Sequence, residues 1–151
     1  MGKLSRAEKD EIRFRATEYQ FNIRNIKKDI PKHLFVYKRV AHELKRAAKA
    51  YNKVEIAYER RLNAKNEVKY CFAKNELLKC IKNFDQQAEI INDCVSQVNE
   101  GYEFIKTSMS KLNKIIAASA ARECDKFNRK IAIAMDRIHY LLDGVDLPDI
   151  E

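Results

Sequence analysis

Glycine and proline are almost missing from this chain: three glycines (Gly2, Gly101, Gly144) and two prolines (Pro31, Pro148) serve 151 residues. Sheets and their tight turns consume far more of both, so a β-rich fold is not expected. No run of 18 apolar residues occurs, so no segment reads as a membrane span. A Gly-rich phosphate loop is missing too. The four cysteines, Cys71, Cys80, Cys94 and Cys124, make no CxxC pair and no cluster with histidine. Zinc sites and dithiol redox centres need that close spacing. Each cysteine lies instead in a helical apolar pattern, which predicts reduced core thiols. The three histidines, His33, His42 and His139, are scattered. Glu55 and Glu59 share a helical face, but Arg60 and Arg61 adjoin them, which favours surface ion pairs over acid–base catalysis. No catalytic residue, metal or cofactor is therefore expected. The opening residues show no apolar signal segment and no Asn-x-Ser/Thr acceptor occurs. The expected location is the cytoplasm, or the interior of a virion or phage-infected cell.

What the chain does have is charge, 34% of all residues, and apolar residues at helical spacing. Ser5 and Glu8 form a capping box that predicts a helix start. Ile12, Ala16, Tyr19, Ile23, Ile26 and Ile30 follow at alternating steps of three and four, one stripe of a helix. Pro31 is expected to stop it. Tyr37, Val40, Leu44, Ala47, Tyr51, Val54 and Tyr58 form a heptad seam on the next helix, with a break expected near Leu62–Asn66. Tyr70, Ala73, Leu77, Cys80 and Phe84 make a third stripe. Asp85 is then read as the cap of a new helix, the alternative being one uninterrupted helix with a stutter at Cys80, Phe84 and Ala88. A stripe from Ile91 to Ile116 contains Gly101, which marks a kink or a close helix contact. A further break is expected between Ser119 and Arg122, and Gly144 suits the final helix stop. The expectation is an all-α, antiparallel four- or five-helix bundle with long amphipathic helices, at about 5–30, 32–62, 65–84, 86–119 and 122–143. It forms a single domain with an acidic tail over 144–151.

The positive charge is regional. Residues 1–79 hold 21 Lys and Arg against 10 Asp and Glu, whereas residues 80–151 hold 9 against 12. Its peak is a segment with ten bases: Arg24, Lys27, Lys28, Lys32, Lys38, Arg39, Lys45, Arg46, Lys49 and Lys53. Only Asp29 and Glu43 oppose them. With Tyr37 at heptad position a, the bases from Lys38 onward occupy b, c and f, opposite the apolar seam. Few acids stand one turn away, so these cations are left for an external polyanion. They are the candidate nucleic-acid-binding residues. No aromatic residue is read beside them, which argues against stacking on single-stranded bases and for contact with the backbone of a folded or double-stranded nucleic acid. The same lack of an exposed Trp, Phe or Leu wedge weakens a membrane-surface reading. The tail Asp143–Glu151, with acids alternating with apolar residues, is read either as a short docking peptide or as a segment that frays or folds onto a basic face.

Ile30-Pro31-Lys32, set between two amphipathic helices, resembles a motif of a small bacterial and phage family of four-helix bundles. These are the accessory variability determinant proteins of diversity-generating retroelements, with relatives encoded in ribosomal RNA intervening sequences. In that family a hydrophobic-Pro-Lys/Arg triplet begins the second helix, and Gly101-Tyr102 stands near where its Gly-rich closing segment falls. The resemblance spans about residues 10–105, and Lys32 is the motif residue that carries over. It implies a ring-like oligomer that binds a reverse transcriptase and its structured RNA, encoded by a phage or mobile element.

These observations predict a non-enzymatic accessory or scaffold, a homo-oligomer with a basic surface, that binds nucleic acid, RNA above all. The alternative is a structural protein-interaction module, such as a coiled-coil scaffold or phage structural component, whose basic face meets an acidic protein.

Overall fold

A computed structural model describes residues 3–149. They form three helices, α1 (Arg6–Arg60), α2 (Ala64–Met109) and α3 (Lys114–Tyr140), and no strand. Side-chain caps set the starts. Glu8 N donates to Ser5 Oγ at 3.1 Å, and Ser5 N donates to the Glu8 carboxylate at 3.4 Å, the reciprocal pair read from the sequence. Asn63 Oδ1 accepts from Asn66 N at 2.8 Å and begins α2 within the Leu62–Asn66 segment. Asn113 Oδ1 accepts from the amides of Ile115 and Ile116 and begins α3. Past Tyr140, turn hydrogen bonds carry the chain to Gly144, whose φ of 73° lies in the left-handed region.

The helices number three rather than four or five, and each difference has a local cause. Pro31 lies inside α1. It is exposed, so the carbonyl that loses its amide partner can be met by water. The seven-residue repeat Ala16, Ile23, Ile30, Tyr37, Leu44, Tyr51 also runs through it, and all six are buried. No turn forms at Asn83–Gln86, and α2 continues past it. The repeat Leu77, Phe84, Ile91, Val98, Ile105 keeps its phase there, so the alternative of one uninterrupted helix describes this stretch. Ser119–Arg122 lies within α3, and the chain breaks earlier, at Ser110–Asn113, where Asn113 offers a side-chain cap.

The chain groups into two compact units. One comprises the chain up to Lys32 together with Ile91–Ile133, and the other comprises His33–Ile90 together with the chain from Ala134 onward. In the first, Gly101 of α2 meets α1: a methyl group added there would lie 2.9 Å from Ile23 Cδ1 and 3.3 Å from Tyr19 Cδ1. Close helix approach, not a kink, accounts for this glycine. Tyr19 and Phe104 pack at 4.8 Å between centroids. Asn99 Oδ1 accepts from the Cys124 thiol at 3.0 Å and from Asn128 Nδ2 at 2.8 Å, a polar link between α2 and α3.

In the second unit, a core of Leu44, Ala48, Tyr51, Ala73 and Leu77 joins α1 to α2. Tyr37 stacks on Phe84 at 4.6 Å, and Tyr51 meets Tyr70 at 5.6 Å. Fourteen residues up α1, two heptads, are thus matched by fourteen down α2, an antiparallel pairing in heptad register. The Tyr37 hydroxyl hydrogen-bonds His139 Nε2 of α3 at 2.9 Å, and the Tyr51 and Tyr70 hydroxyls lie 3.1 Å apart. Burial, assisted by the nearby Asp85 carboxylate, raises the Tyr37 phenol above its ordinary pKa. Burial and hydrogen bonding to Tyr70 and Glu55 raise that of Tyr51. Gln87, a buried polar residue, donates to the His33 carbonyl at 3.1 Å.

Candidate nucleic-acid interface

A helix turns once in 3.6 residues, so a residue's number on α1 fixes its bearing relative to the core. In the unit holding His33–Ile90, Tyr37, Ala41, Leu44 and Ala48 point inward and are buried. Lys38, Arg39, Lys45, Arg46, Lys49 and Lys53 fall in an arc of about 120° on the far side. All are exposed except Lys45, which sits half-buried at the edge of the arc. Among the described residues the ion pair found is Arg13–Asp10, at 3.5 Å. Among the described residues, none of these six cations has a carboxylate within ion-pair reach. An uncompensated row of this kind, with a long flexible stem behind each charge, suits phosphates spaced along a backbone.

Two apolar side chains bracket the row. Phe35, 67% exposed, stands one turn before Lys38 and Arg39, and Ile56, 51% exposed, stands one turn after Lys53. Phe35 corrects the expectation that no aromatic residue and no exposed Trp, Phe or Leu stands beside the charges. Both residues lie outside the a/d seam, and their off-seam heptad positions were the available signal. Phe35 offers one ring to a base or an acyl chain at the end of the cationic row.

The remaining four candidates belong to the other unit. Arg24, Lys28 and Lys32 are exposed. Lys27 is turned toward α2, where its ammonium donates to the Tyr102 hydroxyl at 3.1 Å and lies within 6 Å of the Tyr102 and Phe127 ring centres. That is a cation–π seat inside its own unit, and it engages the charge locally. Arg15 is similarly occupied, its guanidinium lying 4.5 Å from the centre of the Phe104 ring.

The acidic tail is folded onto its own unit. Leu142 and Val145 pack against the core around Leu44 and Leu77. Asn52 Nδ2 donates to the Asp146 carbonyl at 3.0 Å, which holds the tail beside the α1 turn carrying Lys49 and Lys53. Ile150 and Glu151 lie outside the described residues.

The four thiols differ in exposure. Cys71 is exposed, while Cys80, Cys94 and Cys124 are half-buried. Burial pushes the last three up in pKa, away from thiolate character. Among the described residues no helix is long and apolar enough to cross a membrane, and no three His, Cys, Asp or Glu side chains converge to hold a metal ion.

The chain matches no protein-family model, no curated protein and no solved structure.

Proposed function

We propose that this protein is a non-enzymatic, cytoplasmic accessory or scaffold that binds a structured RNA or a nucleic-acid duplex through the outer face of α1. The observation that carries the reading is the unpaired cationic arc of Lys38, Arg39, Lys45, Arg46, Lys49 and Lys53 on the side of α1 away from its core. Six cations with no ion-paired carboxylate among the described residues repel one another, and a polyanion relieves that repulsion while releasing its own counterions. Arg24, Lys28 and Lys32, exposed on the other unit, are further candidates for phosphate contact. Assembly as a homo-oligomer would multiply the weak contact each arc makes. A reverse transcriptase as protein partner rests on the Ile30-Pro31-Lys32 resemblance alone, and that triplet lies inside α1 rather than at the start of a second helix.

The test is binding to duplex DNA, duplex RNA and a folded RNA across a salt series, for the wild type and for Lys38/Lys45/Arg46/Lys49→Ala. Each lost phosphate contact lowers the log–log salt slope by about 0.9 on a duplex, so the fourfold variant should lose roughly 3 to 4 from the slope. No binding at low salt, or an unchanged slope, would refute the reading.

A second reading has its own observation. An apolar groove runs beside the basic face, which favours a protein-interaction module whose cations meet an acidic protein. Anionic vesicles make a useful third arm, because Phe35 and Ile56 give the face apolar contacts. Pelleting with vesicles and no salt-sensitive nucleic-acid binding would move the assignment to a membrane surface.

A further inference from the structure

The groove lies in the His33–Ile90 unit, between α1 and α2, and encloses about 840 Å³. Its lining includes three small residues, Ala47 and Ala50 from α1 and Ala73 from α2. Its wall is Val68 and Phe72, which are 69% and 68% exposed. A phenylalanine left in solvent beside an alanine-lined hollow is a knob next to a hole on one face. Such a face is complementary to itself under a two-fold rotation.

The charges agree with this symmetry. The rim carries two acids, Glu43 and Glu76, and two bases, Arg46 and Lys69. It is neutral in a chain of net charge +8. The groove is therefore a place where a second copy can approach with Arg46, the one arc cation in its lining, balanced by the acids of the rim. Lys69 and Glu76 stand equally far from a point midway between Phe72 and Ala73 along α2. Two copies of α2 crossing antiparallel at that point set Phe72 of each against Ala73 of the other. The same crossing sets Lys69 of each against Glu76 of the other, twice per pair. A parallel arrangement would instead put Lys69 against Lys69 and Glu76 against Glu76, which is unfavourable.

We infer that this face is a homodimer interface, in which a second copy of the chain seats its Phe72 over Ala73, Ala47 and Ala50 and crosses α2 antiparallel with reciprocal Lys69–Glu76 pairs. The inference deepens the oligomeric part of the proposed function and does not require nucleic acid.

Sedimentation velocity of the full chain without nucleic acid, over a wide concentration range, tests it. The wild type should dimerise. Phe72→Asp should weaken association by at least about 100-fold, since it removes two central apolar anchors per dimer. Phe72 is largely exposed, so the variant should keep its helical circular dichroism. Lys69→Glu alone should also weaken the dimer, and Lys69→Glu/Glu76→Lys in one chain should restore it, because the swap returns opposite charges to each reciprocal pair. A wild type that stays monomeric would overturn the inference, as would a dimer indifferent to Phe72→Asp or a double variant no better than Lys69→Glu. A monomer that still binds nucleic acid would leave the cationic face standing. A dimer that binds none would do the reverse.

Discussion

Replacing Gly101 with alanine sets two effects of similar size against each other. Glycine inside a helix costs about 1 kcal/mol relative to alanine, so helix propensity alone makes Gly101→Ala stabilising. The contacts oppose this. The new methyl would stand 2.9 Å from Ile23 Cδ1 and 3.0 Å from Ile23 Cγ1, where carbon atoms prefer about 3.5 to 4.0 Å. Ile23 is 5% exposed and has little room to swing away. Overpacking of this kind costs about 1–3 kcal/mol. The balance is a loss of about 1 kcal/mol, or about 2–4 °C in Tm for a chain of this size. Ile23→Val removes the nearest atom. By itself it should cost about 0.5–1.5 kcal/mol. Combined with Gly101→Ala it should cost less than the two separately, leaving a coupling of about 1–2 kcal/mol. Urea unfolding of the four proteins, followed by helical circular dichroism, completes the cycle. A stabilising Gly101→Ala, or a coupling of zero, would refute the claim that close approach at Ile23 selects glycine here.

Further outcomes follow from caps, burial and titration. Asn113→Ala should destabilise by about 1 kcal/mol in urea, because two amides at the start of α3 lose their acceptor. Thiol labelling under native conditions should show one fast cysteine and three slow ones. Mass mapping should identify Cys71 as the fast site, and fast labelling of Cys80, Cys94 or Cys124 would contradict their burial. Tyr37 and Tyr51 have folded-state pKa values raised above those of the unfolded chain, so the folded state holds their protons longer. The stability they contribute is complete below about pH 10 and is lost as pH rises through the folded values. The urea midpoint should therefore fall above pH 10, and Tyr51→Phe should flatten that fall.

Helical content, the Ser5–Glu8 start and the seam residues were legible because they follow from local rules: a cap and its partner, and apolar residues three and four apart. The breaks were harder to read. Pro31 and Asp85 are local stop signals, but both sit within seven-residue repeats that do not lose phase. A loop would have no reason to preserve that phase, so continuity of the repeat outweighs one weak breaker. Asn113 carried the opposite lesson, since its side chain caps α3 although the spacing of Met109, Leu112 and Ile116 continues the stripe. The cationic arc could be read from heptad positions. Phe35 and Ile56 belong to no apolar stripe, so a seam pattern is blind to them and only their heptad positions place them outward. The local capture of Lys27 depends on Tyr102 and Phe127, which are distant in sequence, and no local pattern could supply it.

The heptad matching of α1 and α2 also limits how the chain can change length. One residue added to α1 alone rotates everything beyond it by about 100°, turning Leu44 out of the core and Glu43 into its place. Seven residues added to one helix restore the bearing but leave no partner for the new turns. Only a heptad inserted in α1 together with one inserted at the facing level of α2 keeps both pattern and pairing. Insertions and deletions in this protein should therefore come as paired sevens, so that the gene is quantised in its tolerated lengths, with the three-residue connection at Arg61–Asn63 as the place where unpaired additions cost least.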